Sequence, residues 1–399
     1  MNAAMNFSGS YHGDDVQFLL KPLALASFVD VPDKERLIQS GRRHYSEMLS
    51  RESLPSARYL EVFRAACAAN LERMAGDCLA LAGLIAQRRS GPVTLVSLAR
   101  AGTPVGVVLK RLLAGVFDRA TAHYSLSIIR DRGIDQVALE YILARGHAAE
   151  SIVFIDGWTG KGVISGELQT SMADFNASHG CAIDSGLYVL SDLAGVAACA
   201  AAHDDYLIPS SILNATVSGL VSRSILNQSI GPADFHGCVY YAEFEQQDQS
   251  RAFADSLVER ALAIAAGSPP RATASGAAVG APLDTTSGAS HGAAGEAGGA
   301  AALAATLAAR DEAARVSRRY MAEAMRGHGI ADRNLIKPGL GEATRVLLRR
   351  TPERLIVRDA ASADVAHLLV LAREKNVPVH IDPELPYQAV SIIRNVADG

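Results

Sequence analysis

A short apolar run, SIVFI over residues 151–155, ends in a carboxylate, Asp156. The chain then passes through Gly157-Trp158-Thr159-Gly160-Lys161-Gly162 into a helical pattern. A carboxylate at a strand tip can accept hydrogen bonds from sugar hydroxyls. A Thr/Gly turn that opens a helix presents free backbone N–H groups and the positive helix end to a phosphate. Lys161 adds a point charge. The spacing matches neither the GxxxxGK[ST] phosphate loop nor GxGxxG, and an ordinary tight strand–helix turn has the same local sequence. A second turn of this kind lies in VTLVSLARAGTPVGVVLK, residues 93–110. Here the strand leads into Ala99-Arg100-Ala101-Gly102-Thr103, and Pro104 suits a first helical position. The Arg100 guanidinium can fork onto a phosphate or pyrophosphate. Two such turns at the ends of two parallel strands could grip both ends of a phosphorylated sugar diphosphate.

Other residue types suggest other chemistry. The five cysteines, Cys67, Cys78, Cys181, Cys199 and Cys238, are dispersed and contain no CxxC. That argues against a disulfide framework or a zinc knuckle and for buried thiols in a reduced cytoplasm. His179 precedes Cys181 closely and His236 precedes Cys238, so two thiol–imidazole dyads can be drawn. Sequence neighbours rarely form such a dyad, and neither cysteine lies in a recognisable nucleophile turn. Residues 208–228 carry Ser210, Ser211, Asn214, Thr216, Ser222 and Arg223, a polar run that could line a base or acceptor pocket or be a capped helix with small packing residues. Residues 333–358 hold seven basic side chains, including Lys337, Arg345 and Arg349, against only Glu342 and Glu353. A local basic patch suits phosphate backbones, and a solvated arginine-rich helix face would read the same way.

The elements that must position these residues follow from hydrophobic period. Helical spacing covers 59–87, 105–113 and 136–144. Strand patterns cover 93–98, 123–129, 151–155 and 187–191. Alternating strand and helix units imply a parallel sheet with helices on both faces and ligands at the strand carboxyl ends. The C-terminal part predicts helices over 310–326, up to 350 and over 363–375, with strands over 355–358 and 377–381. Between them, residues 267–308 are dominated by Ala, Gly, Ser, Thr and Pro with no aromatic side chain, which predicts a flexible linker whose end, 300–309, is helix-prone. The organisation is therefore 1–266, linker 267–308, and 309–399. The 399 residues are 49% hydrophobic with a net charge of -4, so no global basic excess advertises nucleic acid. Only six of the 38 basic residues are lysine, an arginine bias that marks a GC-rich genome and makes each lysine worth locating. No secretory signal is visible in residues 1–15 and no apolar stretch reaches ~18 residues, so a cytoplasmic protein with no membrane span is expected.

The paired turns resemble the pyrophosphate and ribose-5-phosphate loops of type I phosphoribosyltransferases. The segments SLARAGTPVG, HYSLSIIRDRGID, FIDGWTGKG, IPSSILNATVSGLVSRSILN and DFHG resemble more closely the StiP-type, phosphoribosyltransferase-like family of bacterial tellurium-resistance stress clusters. This resemblance covers most of residues 20–250. It implies a phosphoribosyltransferase that uses phosphoribosyl pyrophosphate and magnesium to transfer or cleave a phosphoribosyl group with an unidentified base or acceptor. Asp156 would hold the ribose, Thr159, Gly160, Lys161 and Gly162 the 5-phosphate, and Arg100, Ala101, Gly102 and Thr103 the pyrophosphate. Arg130 and Arg132 would sit in a mobile lid and neutralise the leaving pyrophosphate. Two departures stand out: Gly157 replaces the second acid of the superfamily motif, and bulky Trp158 lies inside the loop. A non-catalytic, nucleotide-sensing regulator is the alternative, and a cysteine protease, a label this family also carries, is a third. GxGEATR followed by a strand, a helix and NVPV resembles the Pelota-type RNA-binding domain, related to kink-turn-binding ribosomal proteins. That implies RNA contacts from Glu342, Thr344 and Arg345 beside Lys337 and Arg349, with Gly341 in place of the usual Asn.

Overall fold

A computed structural model describes residues 7–24, 28–267 and 294–395. The larger domain is built on parallel strands: β1 (Gln17–Leu19), β2 (Val93–Leu98), β3 (Thr121–Leu126), β4 (Ile152–Ile155), β5 (Leu187–Asp192) and β6 (Cys199–Ala202). They lie in the order β1-β3-β2-β4-β5-β6, and every neighbouring pair is parallel. The two-residue strand Trp158–Thr159 continues past β4 and pairs with the far end of β5. All six residues of β2 are buried. Such a strand is apolar throughout, without alternation, because helices cover both of its faces.

On one face lie α1 (Ala57–Arg88), α2 (Gly102–Gly115) and, later in the chain, a helix over Ser250–Ala265. Their Phe63, Met74, Leu81, Leu109, Phe253 and Leu257 share a core with Leu95, Val153 and Leu190 of the sheet. On the other face, α3 (Gln136–Ala144) and α4 (Val163–His179) pack Leu139, Ile142, Leu168 and Phe175 on Val96, Phe154 and Val189. The chain leaves β2 toward β3, then returns to place β4 on the opposite side of β2. Strand order therefore reverses between β2 and β4, the place where open α/β sheets form their crevice. Both turns singled out in the sequence sit there. The parallel α/β sheet expected from the sequence is present.

The single strand expected over 123–129 is divided. β3 ends at Leu126, and Ile128–Ile129 instead pairs antiparallel with Gly133–Ile134, closing a hairpin at Asp131 with φ 65°.

In the C-terminal part, a helix over Ala294–His328 leads to β7 (Ile336–Pro338), a helix over Leu340–Arg349, β8 (Pro352–Val357), a helix over Ala366–Glu374, β9 (Val379–Ile381) and β10 (Ala389–Ile393). The sheet order is β7-β10-β8-β9, with β10 antiparallel to both neighbours. Most of the expected linker, 268–293, lies outside the described residues; of the remainder, 294–308 is helix.

The two parts pack together. Leu340, Ala343, Leu347 and Leu368 belong to the same apolar cluster as Phe63, Tyr206 and Leu207. Asp205, just beyond β6, accepts the backbone N–H of Leu340 at 2.9 Å and that of Gln388 at 2.8 Å. A large-domain carboxylate thus satisfies an N–H that the first turn of the Leu340–Arg349 helix leaves without an intrahelical partner.

Candidate functional site

The strand-end crevice opens into a cavity of about 900 Å³. Its lining includes Asp156, Trp158–Ser165 and Asn214–Thr216 from the larger domain, and Lys337, Glu342, Arg345, Arg349 and Arg350 from the smaller one. The smaller domain therefore forms one wall of the crevice.

Trp158 shows how the domains are keyed. The guanidinium of Arg345 lies 4.4 Å from the centroid of its ring, a cation–π contact. Gly341 lies against the same ring: a Cβ there would fall 2.4 Å from Cε2. Two of the departures noted in the sequence, Trp158 in one motif and Gly341 in the other, are each other's partners. Gly160 faces Glu342 in the same way, with a Cβ meeting Cγ at 3.0 Å.

The sequence-nominated side chains of both turns are largely bonded within the protein. Arg100 is 7% exposed. Its Nη1 donates to the Val221 carbonyl at 2.6 Å and its Nη2 lies 2.6 Å from Glu52. Thr103 is buried against Ser125 at 2.8 Å. Ala101 and Gly102 begin α2, and Gly102 is pressed on the β4 tip, where a Cβ would meet the Ile155 carbonyl at 2.3 Å. The Thr159 hydroxyl donates to buried Asp192, which also accepts the Ala197 N–H at 2.8 Å. Lys161 donates to the Arg333 carbonyl of the smaller domain at 2.8 Å. Burial, with Lys337 beside it, pulls its ammonium down to about 7. Gly162 starts α4 at φ 77°.

Asp156 accepts the Gly157 N–H at 2.8 Å. Burial pushes its carboxyl up to about 6, against the pull of Arg345. Glu342 behaves in the opposite way. Burial raises it, but Arg345 at 2.9 Å, Lys337 at 3.8 Å and Lys161 outweigh that and hold it at about 2. Among the described residues no group of three or more His, Cys, Asp or Glu is placed to hold a metal ion. Asp156 and Glu342 both lie within reach of the Arg345 charge.

Arg130 borders the cavity and pairs with Asp131 at 2.9 Å, whereas Arg132 turns away to Glu47 at 2.5 Å. Of the residues nominated for RNA, Thr344 is fully buried, bonded to the Leu340 carbonyl and to His367, both at 2.7 Å. Lys337, Glu342, Arg345 and Arg349 line the crevice instead of an outer surface.

Sequence reasoning missed Glu52, Lys34, Tyr45 and Glu35. The scarcity of lysine, applied to Lys161 and Lys337, would also have flagged Lys34. The other three lie in a loop (Glu52), a short 3-10 turn (Tyr45) and a nine-residue helix (Glu35), and carry no local signal.

Among the described residues, no cysteine or histidine lines the crevice. Burial pushes the Cys67 and Cys238 thiols up to about 12 and raises Cys78 and Cys199. Cys181 is partly exposed, and its Sγ donates to Asn176 Oδ1 at 3.3 Å. His179 stacks on Phe175, with Nδ1 3.0 Å from the Phe175 carbonyl and Nε2 3.2 Å from Glu140. His236 Nδ1 lies 2.8 Å from Ser127 Oγ, and Cys238 is completely enclosed. In neither sequence pair does the imidazole hydrogen-bond the sulfur.

The architecture defines a class: a mainly parallel α/β domain whose strand-end crevice is walled by a small C-terminal module. Residues 9–258 match the family model described as tellurite-like stress resistance cysteine protease StiP, and residues 315–395 match that of the PELOTA RNA binding domain. A protein of Acinetobacter baylyi named cysteine protease StiP is 38% identical over 405 residues, spanning 98% of this chain and 96% of its own length. The chain belongs to the StiP stress-resistance family. These matches overturn the expectation of phosphoribosyl transfer from phosphoribosyl pyrophosphate, since family and relative alike carry a cysteine-protease name. The geometry gives a physical reason for the error. Motif spacing located the two turns, but their Arg100, Thr159 and Lys161 side chains are bonded to the fold itself. Among the described residues, no helix is long and apolar enough to cross a membrane.

Proposed function

We propose that this chain is a thiol-dependent peptidase of the StiP family that carries an RNA-binding module. The observation that carries this reading is the collinear match, end to end, with a relative named as a cysteine protease. The structure narrows the choice of thiol. Four of the five are driven toward the unreactive thiol form by burial, and a thiolate is what attacks. Cys181 and Cys67 are the two partly exposed thiols, and of these only Cys181 follows a histidine closely, His179, whose Nε2 faces the carboxylate of Glu140. In this reading Nδ1 of His179 leaves the Phe175 carbonyl and serves as the base while Nε2–H stays on Glu140: Cys181 Sγ adds to the peptide carbonyl carbon as its proton passes to Nδ1. His179 returns that proton to the leaving amine, and water then releases the acyl group from sulfur. Glu140 holds the imidazole. Catalysis requires the Cys181 side chain to turn from Asn176 toward His179 about the left-handed Gly180. Helix α4 begins at the crevice and ends at His179, 17 residues on, so this thiol lies about 25 Å from the crevice. The crevice then serves another purpose than bond cleavage.

The test is hydrolysis of denatured casein with the full chain. Cys181→Ala should abolish it and His179→Ala should lower it by ~10²–10⁴-fold, while Cys238→Ala folds and cleaves normally. A thiol-directed epoxide should label Cys181. Hydrolysis unaffected by Cys181→Ala would overturn the assignment. RNA binding is supported by the module match over 315–395. Anisotropy with a labelled RNA stem-loop tests it, and no binding at low salt would refute it.

A further inference from the structure

The helix over Ala294–His328 gives one face to the fold and leaves another bare. Ser317, Met321 and Ala324 are buried, the last two in the apolar cluster that holds Ile336, Ile356, Val390 and Ile392 of the small sheet. Ala314 lies against Gly195 of the larger domain, where a Cβ on the glycine would fall 2.6 Å from that of the alanine. At about 100° per residue, Arg315, Arg319 and Arg326 fall within about 40° of one another on the side opposite Met321 and Ala324, and Arg318 lies about 60° from Arg315. All four arginines are exposed.

From Arg315 to His328 the only acid beside these four arginines is Glu323, in a chain whose net charge is -4. Arg315 pairs with Glu312 at 2.5 Å, and Arg319 adds to the field that holds Glu312 below its ordinary value. Among the described residues, Arg318, Arg319 and Arg326 have no hydrogen bond or ion pair. Positive potential continues past the helix end: partial burial, Arg354 and His380 of the edge strand β9 lower His328 against the pull of Glu353. Exposed guanidinium groups without protein partners suit the oxygens of a phosphate backbone, whose counterions they release on binding. Between 315 and 328 no large apolar side chain is exposed, which sets this face apart from that of a membrane-surface helix.

We propose that the solvent face of this helix, carrying Arg315, Arg318, Arg319 and Arg326, is the surface on which the module holds the phosphate backbone of RNA, outside the crevice and with the domains docked. The arginines span about 16 Å along the helix axis, enough to meet several phosphates of one strand. The proposal rests on the RNA-binding reading of residues 315–395 and names where that binding occurs. Lys337, Glu342, Arg345 and Arg349 are turned into the crevice, whereas this face is open in the same chain.

The experiment follows the anisotropy of a labelled RNA stem-loop with the full chain from about 50 to about 200 mM salt. Arg319→Gln/Arg326→Gln should weaken binding about tenfold at the lower salt and reduce the slope of log affinity against log salt by about 2, one for each phosphate contact removed. Arg58→Gln/Arg64→Gln removes the same charge from exposed positions on α1 of the larger domain and should leave the slope unchanged. Glutamine is a good helix former, circular dichroism checks the fold, and Arg318→Gln/Arg326→Gln serves if the first variant fails to fold. Wild-type binding with affinity and slope unchanged in the folded helix variant would overturn this proposal and leave the RNA-binding reading standing. Equal losses in the α1 variant would also overturn it, as would polyglutamate weakening RNA binding no less than unlabelled RNA does at matched charge, or binding by the wild type as tight to polyglutamate as to RNA. A wild-type chain that binds no RNA at the lower salt would overturn both.

Discussion

Replacing Gly341 with alanine tests whether the two domains are locked by the Trp158 contact. The added Cβ would lie 2.4 Å from Cε2, 2.5 Å from Cζ2 and 2.7 Å from Nε1 of the indole. Carbon atoms in contact sit about 3.5–4.0 Å apart, so the ring or the Leu340–Arg349 helix must give way by about 1 Å. Overpacking of this kind costs ~1–3 kcal/mol. At ~1.4 kcal/mol per tenfold, the ratio of docked to undocked protein falls by ~5- to 150-fold. Moving the indole also disturbs the Arg345 contact at 4.4 Å. The assay is built into the protein, because Trp158 is its single tryptophan. Gly341→Ala should shift emission to the red, increase quenching by acrylamide and lower the melting temperature. Adding Trp158→Ala to the variant should remove most of the thermal penalty, since the clash then has no second partner. Emission and quenching identical to wild type would refute the argument.

Asp205→Ala removes the acceptor of two amides at the domain interface. Undocking should free Lys337, Arg345 and Arg349, so affinity for an RNA stem-loop should rise severalfold by anisotropy; a fall would contradict the closed arrangement. His123 and His367 are both buried and pulled down to about 3 by burial. Their folded-state values lie below the ordinary 6.5, so the unfolded chain binds protons first and stability is lost as pH falls through 6.5 toward 3. Denaturant titrations should show up to ~1.4 kcal/mol lost per pH unit for each histidine in that window, and His367→Gln should reduce the slope. Thr159→Val leaves buried Asp192 short of a donor and should lower stability by ~1–3 kcal/mol on thermal unfolding, with RNA affinity unchanged. Brief alkylation of the native chain should modify Cys181 ahead of Cys67, which is equally exposed but raised by burial, and well ahead of the three buried thiols, as read by peptide mass mapping.

The backbone frame was readable because it rests on local periodicity. The runs at 93–98, 151–155 and 187–191 are buried on both faces and show as continuous apolar stretches, and the turns that follow β2 and β4 fall where strand order reverses. β7 and β10 were missed: Ile336–Pro338 is only three residues long, and Ala389–Ile393 is a five-residue run near the chain end whose preceding turn signal, Asp382-Pro383, was not used. The site was only half legible. Glycine and threonine in a turn promise backbone donors, but whether an arginine side chain points at a ligand is decided by residues far away in sequence. Glu52, about 50 positions before Arg100, took its guanidinium inward. Arg223 and Arg349 converge on one cavity from opposite domains, and no local pattern connects positions so far apart.

The contact between Trp158 and Gly341 also has a bearing on how such chains diverge and recombine. An indole on one module and a missing side chain on the other form a complementary pair, so neither position is free to drift by itself. A homologous C-terminal module with asparagine at position 341 would fail to seat on this larger domain, although each half could fold. Shuffling the modules between relatives should therefore yield working chimaeras only when both positions travel together, and a larger domain cut at residue 266 would expose the indole, stripped of its Gly341 and Arg345 cover, to adventitious partners.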